Sequence, residues 1–404
     1  MILKPLLIDH DYKIINSASG QIARTFWQTQ KICSVKPIVV CSKTDFNVET
    51  KFDVIEVVDQ PIVRHIGGVL REFGLPDFCH IPDQRRFSWK PFVLHNLDVC
   101  NAAKRCDYFH SISCPESSHL IAYALKKKYG KRWVAQFNDP WVGNEAKSFK
   151  FKKFEEYDYS LEKVVADNAD LIIHTNKIMM EDWVTRYGTQ ILKKMVEIPL
   201  SFNMPLPDLF ESPINTGSKL HLFHIGHLYG ARSAEPLFQA LSKIVSNKPQ
   251  MRDLIELNFI GGLSESDVQK CNELGLNDCV HFLGTMRPEE LDPYYRKADI
   301  FVVIDMNIER SPSFPSKLML YHYYQKPILS ITTKNSIIED DMLRSGHSCF
   351  YYNQINELAD FIDKAVYDRS LLYKFDHNYW KRYSVDSVAS TYFNLIDKYI
   401  CSYE

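Results

Sequence analysis

The stretch SPSFPSKLMLYHYYQKPILSI, residues 311–331, places Ser311, Ser313, Ser316 and Lys317 just past an apolar strand and at the head of a helical segment. The strand is ADIFVVID, residues 298–305, and the helix is SKLMLYHYYQ, residues 316–325. Aligned peptide dipoles leave partial positive charge at a helix N-terminus, so a lysine in the first turn opposes the local electrostatics. A strand feeding a helix is the unit of a parallel sheet, and a local rule broken at their junction points to chemistry.

The same alternation runs outward in both directions. LHLFHIG (220–226), IELNFIGG (255–262), CVHFLG (279–284), KPILSI (326–331) and SCFYY (348–352) are short apolar runs separated by helix-like segments such as SAEPLFQALSKIV. An earlier series, KPLLI, KPIVVC, DVIEVV, DYFHSIS, RWVAQF and ADLIIHT, occupies roughly residues 1–200. Between the two lies IPLSFNMPLPDLFESPINTGS, residues 198–218, where Pro199, Pro205, Pro207, Pro213 and Gly217 break every periodicity. The fold class is therefore α/β with two Rossmann-like domains, residues 1–205 and 206–375. Ligands of open parallel sheets sit beyond the carboxyl ends of the strands, so two such domains are expected to face each other across a cleft. The segment 376–404 carries Val385, Val388, Tyr392, Leu395, Ile396 and Tyr399 near helical spacing and reads as a terminal amphipathic helix.

Composition removes several classes. A chain of 404 residues exceeds the size at which one core keeps growing, which agrees with two domains. A formal net charge of -2 argues against bulk attraction to nucleic acid. The ten cysteines include no CxxC pair, so neither a zinc site nor a secreted disulfide framework is supported. No apolar run reaches the length of a membrane span and the N-terminus does not read as a signal peptide, so a cytoplasmic location is expected. A dinucleotide-binding dehydrogenase is disfavoured because no GxGxxG follows the first strand.

Lys317 has a counterpart. In HLFHIGHLYGARSAEPLF a strand ends at Gly226, and Arg232 precedes Ser233, a candidate N-cap with Glu235 and Pro236 in the first turn. Two cations on adjacent strand-to-helix loops suit a diphosphate, Arg232 giving bidentate contacts and Lys317 a point charge beside free helix N–H groups. The alternative is two solvated side chains.

The order HIGHLYGARS, ELNFIGG, CVHFLGTMRPEELDPYYRKADIFVVID and SFPSKLMLYHYYQKPIL resembles the donor domain of GT-B glycosyltransferases, family four in particular. IPDQRRFSWKP, DYFHSISCPESSHLIAYALKKKYG and RWVAQFNDPWVG are similar to acceptor-domain segments of bacterial members that make surface polysaccharides. The resemblance implies a retaining, metal-independent hexosyltransferase without a resident cofactor, using a nucleotide-diphosphate sugar and a glycan or lipid-linked acceptor. It also implies a last helix that crosses back to the first domain. On this reading the donor-binding residues are Gly20, Gly226, Tyr229, Arg232, Ser316, Lys317 and Leu318, and the catalytic ones Asp139, Arg232 and Lys317. One departure stands out: the pair of glutamates usual in the family falls at Pro312 and Leu320, with Glu309 as a nearby substitute. A sugar-nucleotide epimerase on the same fold, or a noncatalytic glycan-binding subunit, are the rival readings.

Asp139 in FNDPWVG either orients an acceptor hydroxyl or makes an Asx turn before Pro140. Gly20, in NSASGQ after the first strand, is read as a loop glycine approaching the donor phosphate. His110, inside DYFHSIS, reads as a satisfied core histidine, and the run YHYYQ, Tyr321–Gln325, as helix packing. The tracts KKKYGKR (126–132) and KSFKFKK (147–153) suit either a solvated surface or contact with an anionic membrane at its inner face.

Overall fold

Each apolar run becomes one strand of a wholly parallel sheet, and the connections between runs supply the helices. The computed structural model describes residues 3–14, 17–29, 35–46, 48–60, 83–144, 147, 149, 151–202 and 219–401. It divides into two units, Met1–Asn203 with Arg382–Glu404, and Met204–Lys381. The proline-rich connection expected at 198–218, with its boundary at 205/206, lies almost wholly outside the described residues.

The first unit holds β1 (Pro5–Ile8), β2 (Ile38–Ser42), β3 (Val54–Val57), β4 (Tyr108–Ser113), β5 (Arg132–Phe137), β6 (Leu171–His174) and β7 (Met195–Glu197). Their spatial order is β3-β2-β1-β4-β5-β6-β7. The three-residue β7 is too short to register in the sequence pattern. Central strands such as LLI and YFHSIS are buried on both faces, which is why they read as continuous rather than alternating apolar runs.

One face of this sheet is closed by the helix Val385–Ile396, which packs Val385, Val388, Tyr392 and Ile396 against Leu7, Trp27, Val39 and Val134. A polar chain runs through that contact. The Gln136 amide nitrogen donates to Asn138, so its Oε1 accepts from His110 Nε2 at 3.1 Å. His110 Nδ1 therefore accepts from the Tyr392 hydroxyl at 2.9 Å, and Tyr392 lies 3.0 Å from the Tyr108 hydroxyl. Burial pushes His110 down to about 3, so it stays neutral and both ring nitrogens are used, as a core histidine requires.

The second unit holds β8 (Leu220–Ile225), β9 (Ile255–Ile260), β10 (Val280–Phe282), β11 (Ile300–Ile304), β12 (Ile328–Thr332) and β13 (Ser348–Tyr351), in the order β10-β9-β8-β11-β12-β13. Helices Glu235–Asn247 and Ile355–Tyr367 bury Leu237, Phe238, Leu241, Leu358 and Ile362 with the central strands in one core. The helix Lys317–Tyr323 buries Tyr321, His322 and Tyr323, so the aromatic run is packing, as its sequence suggested.

Tyr392→Phe removes one hydroxyl and leaves His110 and Tyr108 with unpaired buried groups. The expected cost is about 1–3 kcal/mol of stability, read by denaturant unfolding, with near-native far-ultraviolet circular dichroism retained.

Candidate functional site

In both sheets the strand order reverses once, between β1 and β4 and between β8 and β11. Chains leave two neighbouring strands in opposite directions at such a point, which opens a crevice at their carboxyl ends. In the second unit that crevice lies between the loop after β8, which carries Arg232, and the loop after β11, which leads to Lys317.

Lys317 reaches back across the strand ends, and its Nζ lies 3.0 Å from His224 Nε2. The other ring nitrogen, His224 Nδ1, is 3.1 Å from the carbonyl of Val302, which can only accept. His224 Nδ1 therefore carries the proton, and Nε2 offers its lone pair to Lys317. Burial holds this histidine well below its ordinary range, so it is neutral and adds no charge. Gly226 has φ +128°, and a Cβ built there would stand 3.0 Å from Lys317 Nζ. Only glycine combines that backbone with room for the amine.

Arg232 places its guanidinium 4.4 Å from the Tyr229 ring centre, and its Nη1 is buried without a hydrogen-bond partner. Tyr229 itself is 60% exposed. Burial first, and then the Arg232 charge, push the Lys317 amine down to about 7. Among the described residues neither cation forms an ion pair. Two adjacent basic groups without an ion pair are costly to hold charged unless an anion joins them; the nearby Asp305 feels the Arg232 charge but does not pair with it.

The scaffold around them is tightly tied. The buried Asp305, at the end of β11, accepts from Met306 N at 2.8 Å, Ser311 Oγ at 2.8 Å and Thr332 Oγ1 at 2.7 Å, so its carboxylate is spent on the loop. The N–H of Asn307 donates to the Ala231 carbonyl at 3.0 Å, which joins the two loops directly. The Tyr352 hydroxyl donates to Asp305 O at 2.6 Å and accepts from Ser233 N at 3.4 Å. Tyr321, one turn beyond Lys317, accepts from Ile225 N at 2.9 Å and so fixes the end of β8.

Several expectations need correction. Ser233 is not the N-cap: the helix starts at Glu235 after Ala234, while Ser233 Oγ accepts from Glu235 N and donates to Asp267. The N–H groups at the start of Lys317–Tyr323 are not free, since Leu318 N and Met319 N donate to Pro315 O and Ser316 O. Leu318 is fully buried and belongs to the interior, whereas Ser316 is exposed. Gly20 is not in a loop: it lies in the first turn of helix Ala18–Gln28, with its N–H on the Ser17 hydroxyl. A Cβ there would meet the Asp11 carbonyl at 2.1 Å, so the glycine serves close packing. Of the acidic positions, Pro312 is buried, Leu320 half-buried and Glu309 exposed.

In the first unit, Asp139 follows β5 half-buried, and its charge is felt at the Cys114 thiol. Lys147, read as part of a basic surface, is instead paired with the buried Glu116. In KKKYGKR, Lys126 and Arg132 both bind Asp170, and Lys131 binds the carbonyls of Lys104 and Cys106. Sequence reasoning missed the loop after β1, where His10 bridges Asp11 at 2.7 Å and Asp59 at 3.0 Å. It also missed the buried Asp9, whose carboxyl burial and Asp11 push up to about 7. The one available signal was an acid–histidine–acid run directly after an apolar strand.

Comparison with known proteins agrees with this architecture. Residues 219–368 match the family model for glycosyl transferases group 1. Anabaena Alr3699/HepE, solved in complex with UDP and glucose, superposes with a TM-score of 0.67 at 13% identity, over 98% of this chain and 100% of its own. Sucrose-phosphate synthase from Thermosynechococcus elongatus gives 0.69 at 16% identity, covering 98% of each chain. Residues 219–368 are thus a glycosyl transferases group 1 domain, and the chain as a whole has the GT-B fold of these neighbours. The lipopolysaccharide outer core galactosyltransferase WaaB superposes on this chain with a TM-score of 0.61 at 14% identity, over 98% of this chain and 99% of its own. No match was found among curated protein sequences. No described helix of the chain is long and apolar enough to cross a membrane.

The depressed Lys317 gives a test of the site without any ligand. Its unfolded value is 10.5 and its folded value about 7, so the unfolded state holds the extra proton between these limits. Stability of the wild type relative to Lys317→Met should therefore rise as pH goes from 7 towards 10, in denaturant unfolding followed at several pH values.

Proposed function

We propose that the glycosyltransferase takes its sugar from a nucleoside diphosphate sugar whose diphosphate is held by Arg232 and Lys317. Transfer then goes, with retention at the anomeric carbon, to a glycan or lipid-linked acceptor in surface polysaccharide assembly. The observation that supports this reading is the pairing of Arg232 and Lys317 at the β8/β11 switch point, with no ion pair to either among the described residues. Departure of the nucleoside diphosphate builds negative charge on the β-phosphate, and preorganised cations aimed there lower the barrier. Arg232 offers a planar fork for two phosphate oxygens, and Tyr229 beneath it fixes the plane. Lys317 takes up a proton as the anion arrives, because an opposite charge favours its ammonium form. The rigid Gly226 turn leaves the space into which the amine projects.

Both charges come from the chain, so no metal is needed to neutralise the leaving group, and transfer is expected to survive EDTA. On the acceptor side, Asp139 at the end of β5 is the residue proposed to orient the hydroxyl. Exposed Phe151, with the Lys153 ammonium 5.6 Å from its ring centre, is the surface proposed to meet a lipid-linked acceptor.

UDP is the first donor fragment to test, since Anabaena Alr3699/HepE was solved with it. Loss of one hydrogen bond to a charged group costs about 1.5–3 kcal/mol, so Lys317→Met and Arg232→Gln should each weaken UDP binding about 10- to 100-fold by calorimetry. Affinity of the wild type should fall as pH rises above 7, because binding takes up the Lys317 proton, and Lys317→Met should lose that dependence. Unchanged affinity in both variants removes the diphosphate assignment. Proton NMR of the first product decides retention, and a change of donor configuration without any acceptor would indicate an epimerase.

A further inference from the structure

Ala231 and Asn307, which join the loops after β8 and β11, also line a hollow of about 920 Å³ in the second unit. Neither Gly226, Arg232 nor Lys317 lines it. Its walls come from the loop and helix after β8, from Asn307 after β11, and from the ends of β12 and β13 with the segments that follow them. The volume falls in the range of small-molecule sites.

We infer that this hollow binds a neutral oligosaccharide at a site separate from the diphosphate cluster. The chemistry of its lining selects that class. The hydroxyl of Thr333 is buried without a hydrogen-bond partner in the protein and lines the hollow, so it has a donor and an acceptor to offer an occupant. Asn307 and Asn353 present amides, which donate and accept as sugar hydroxyls do. Glu357, at the head of helix Ile355–Tyr367, adds an acceptor for paired hydroxyls. The charges argue against an anion. Glu235 is matched by Lys270 at 3.2 Å, and Lys334 stands alone against Glu357, so the walls carry no positive excess. They also argue against a nucleobase. The Lys334 ammonium lies 5.6 Å from the Tyr351 ring centre, so no pair of bare aromatic faces is available to sandwich a base.

The hollow touches Ala231 and Ser233, the two neighbours of Arg232, so its occupant meets the same backbone segment that carries the cation. This site rests on the hollow and its lining alone, and it stands or falls independently of the donor assignment.

The experiment uses the full chain on an array of immobilised neutral di- to hexasaccharides, with sialylated and phosphorylated glycans alongside, followed by saturation-transfer NMR on any hit. At least one neutral glycan should bind. The double variant Thr333→Val/Asn353→Ala should weaken it at least about tenfold, as loss of two hydrogen bonds predicts, with an unchanged melting temperature as the folding control. Glu357→Gln, which keeps the size of the side chain, should weaken the same glycan if the double variant proves unstable. Absence of any neutral hit, selective capture of the anionic glycans, or undiminished binding by well-folded variants each overturns the site.

Discussion

A guanidinium and a buried amine held side by side, with no ion pair to either among the described residues, set the terms for the second unit. Left to itself a loop would turn Arg232 and Lys317 outward, because each loses hydration and feels the other. The fold prevents this through contacts that do not involve the charges. Asp305 gathers Met306, Ser311 and Thr332; Tyr352 joins the loops after β8 and β11; Tyr321 fixes the last peptide of β8. The neutral His224 accepts from the amine without supplying the negative charge that would satisfy it. The site is kept electrostatically incomplete by a scaffold that is sterically complete.

The strands and the two cation-bearing loops were legible in the sequence for different reasons, whereas the spatial order of the strands was not. Parallel strands buried on both faces are continuous apolar runs, and two such series of similar spacing leave few alternatives to paired α/β sheets. Arg232 and Lys317 stood out because each is a cation at a helix start. The residues that hold them were not legible. His224 is one position in an ordinary strand until β11 brings the Val302 carbonyl to its other nitrogen, 78 residues away. Tyr352 acts on Asp305 across 47 residues, a separation that no local window contains.

Errors at single positions follow the same logic. Lys147 sits among lysines and phenylalanines, so a charge-run reading places it on the surface; its partner Glu116 lies 31 residues earlier and is nearly fully buried. Gly20 follows NSAS, a turn-like composition, yet Ser17 caps a helix there and the glycine is demanded by the Asp11 carbonyl. Pro312 and Leu320 tell in the opposite direction. Neither side chain can accept a hydrogen bond, so these two positions lack the carboxylates that the resemblance led one to expect there.

The helix Val385–Ile396 follows the second unit in the chain but completes the core of the first. The second unit is thus, in topology, an insertion within the first. During synthesis the ribosome releases the β1–β7 sheet long before the helix that covers one of its faces, while the second unit has all its strands in hand. Contacts such as Tyr108–Tyr392, 284 residues apart, form last and carry the greatest loop-closure entropy. The nascent chain therefore passes through a stage in which the second unit can fold while the first still shows an uncovered apolar face, the point at which a chaperone has most to protect.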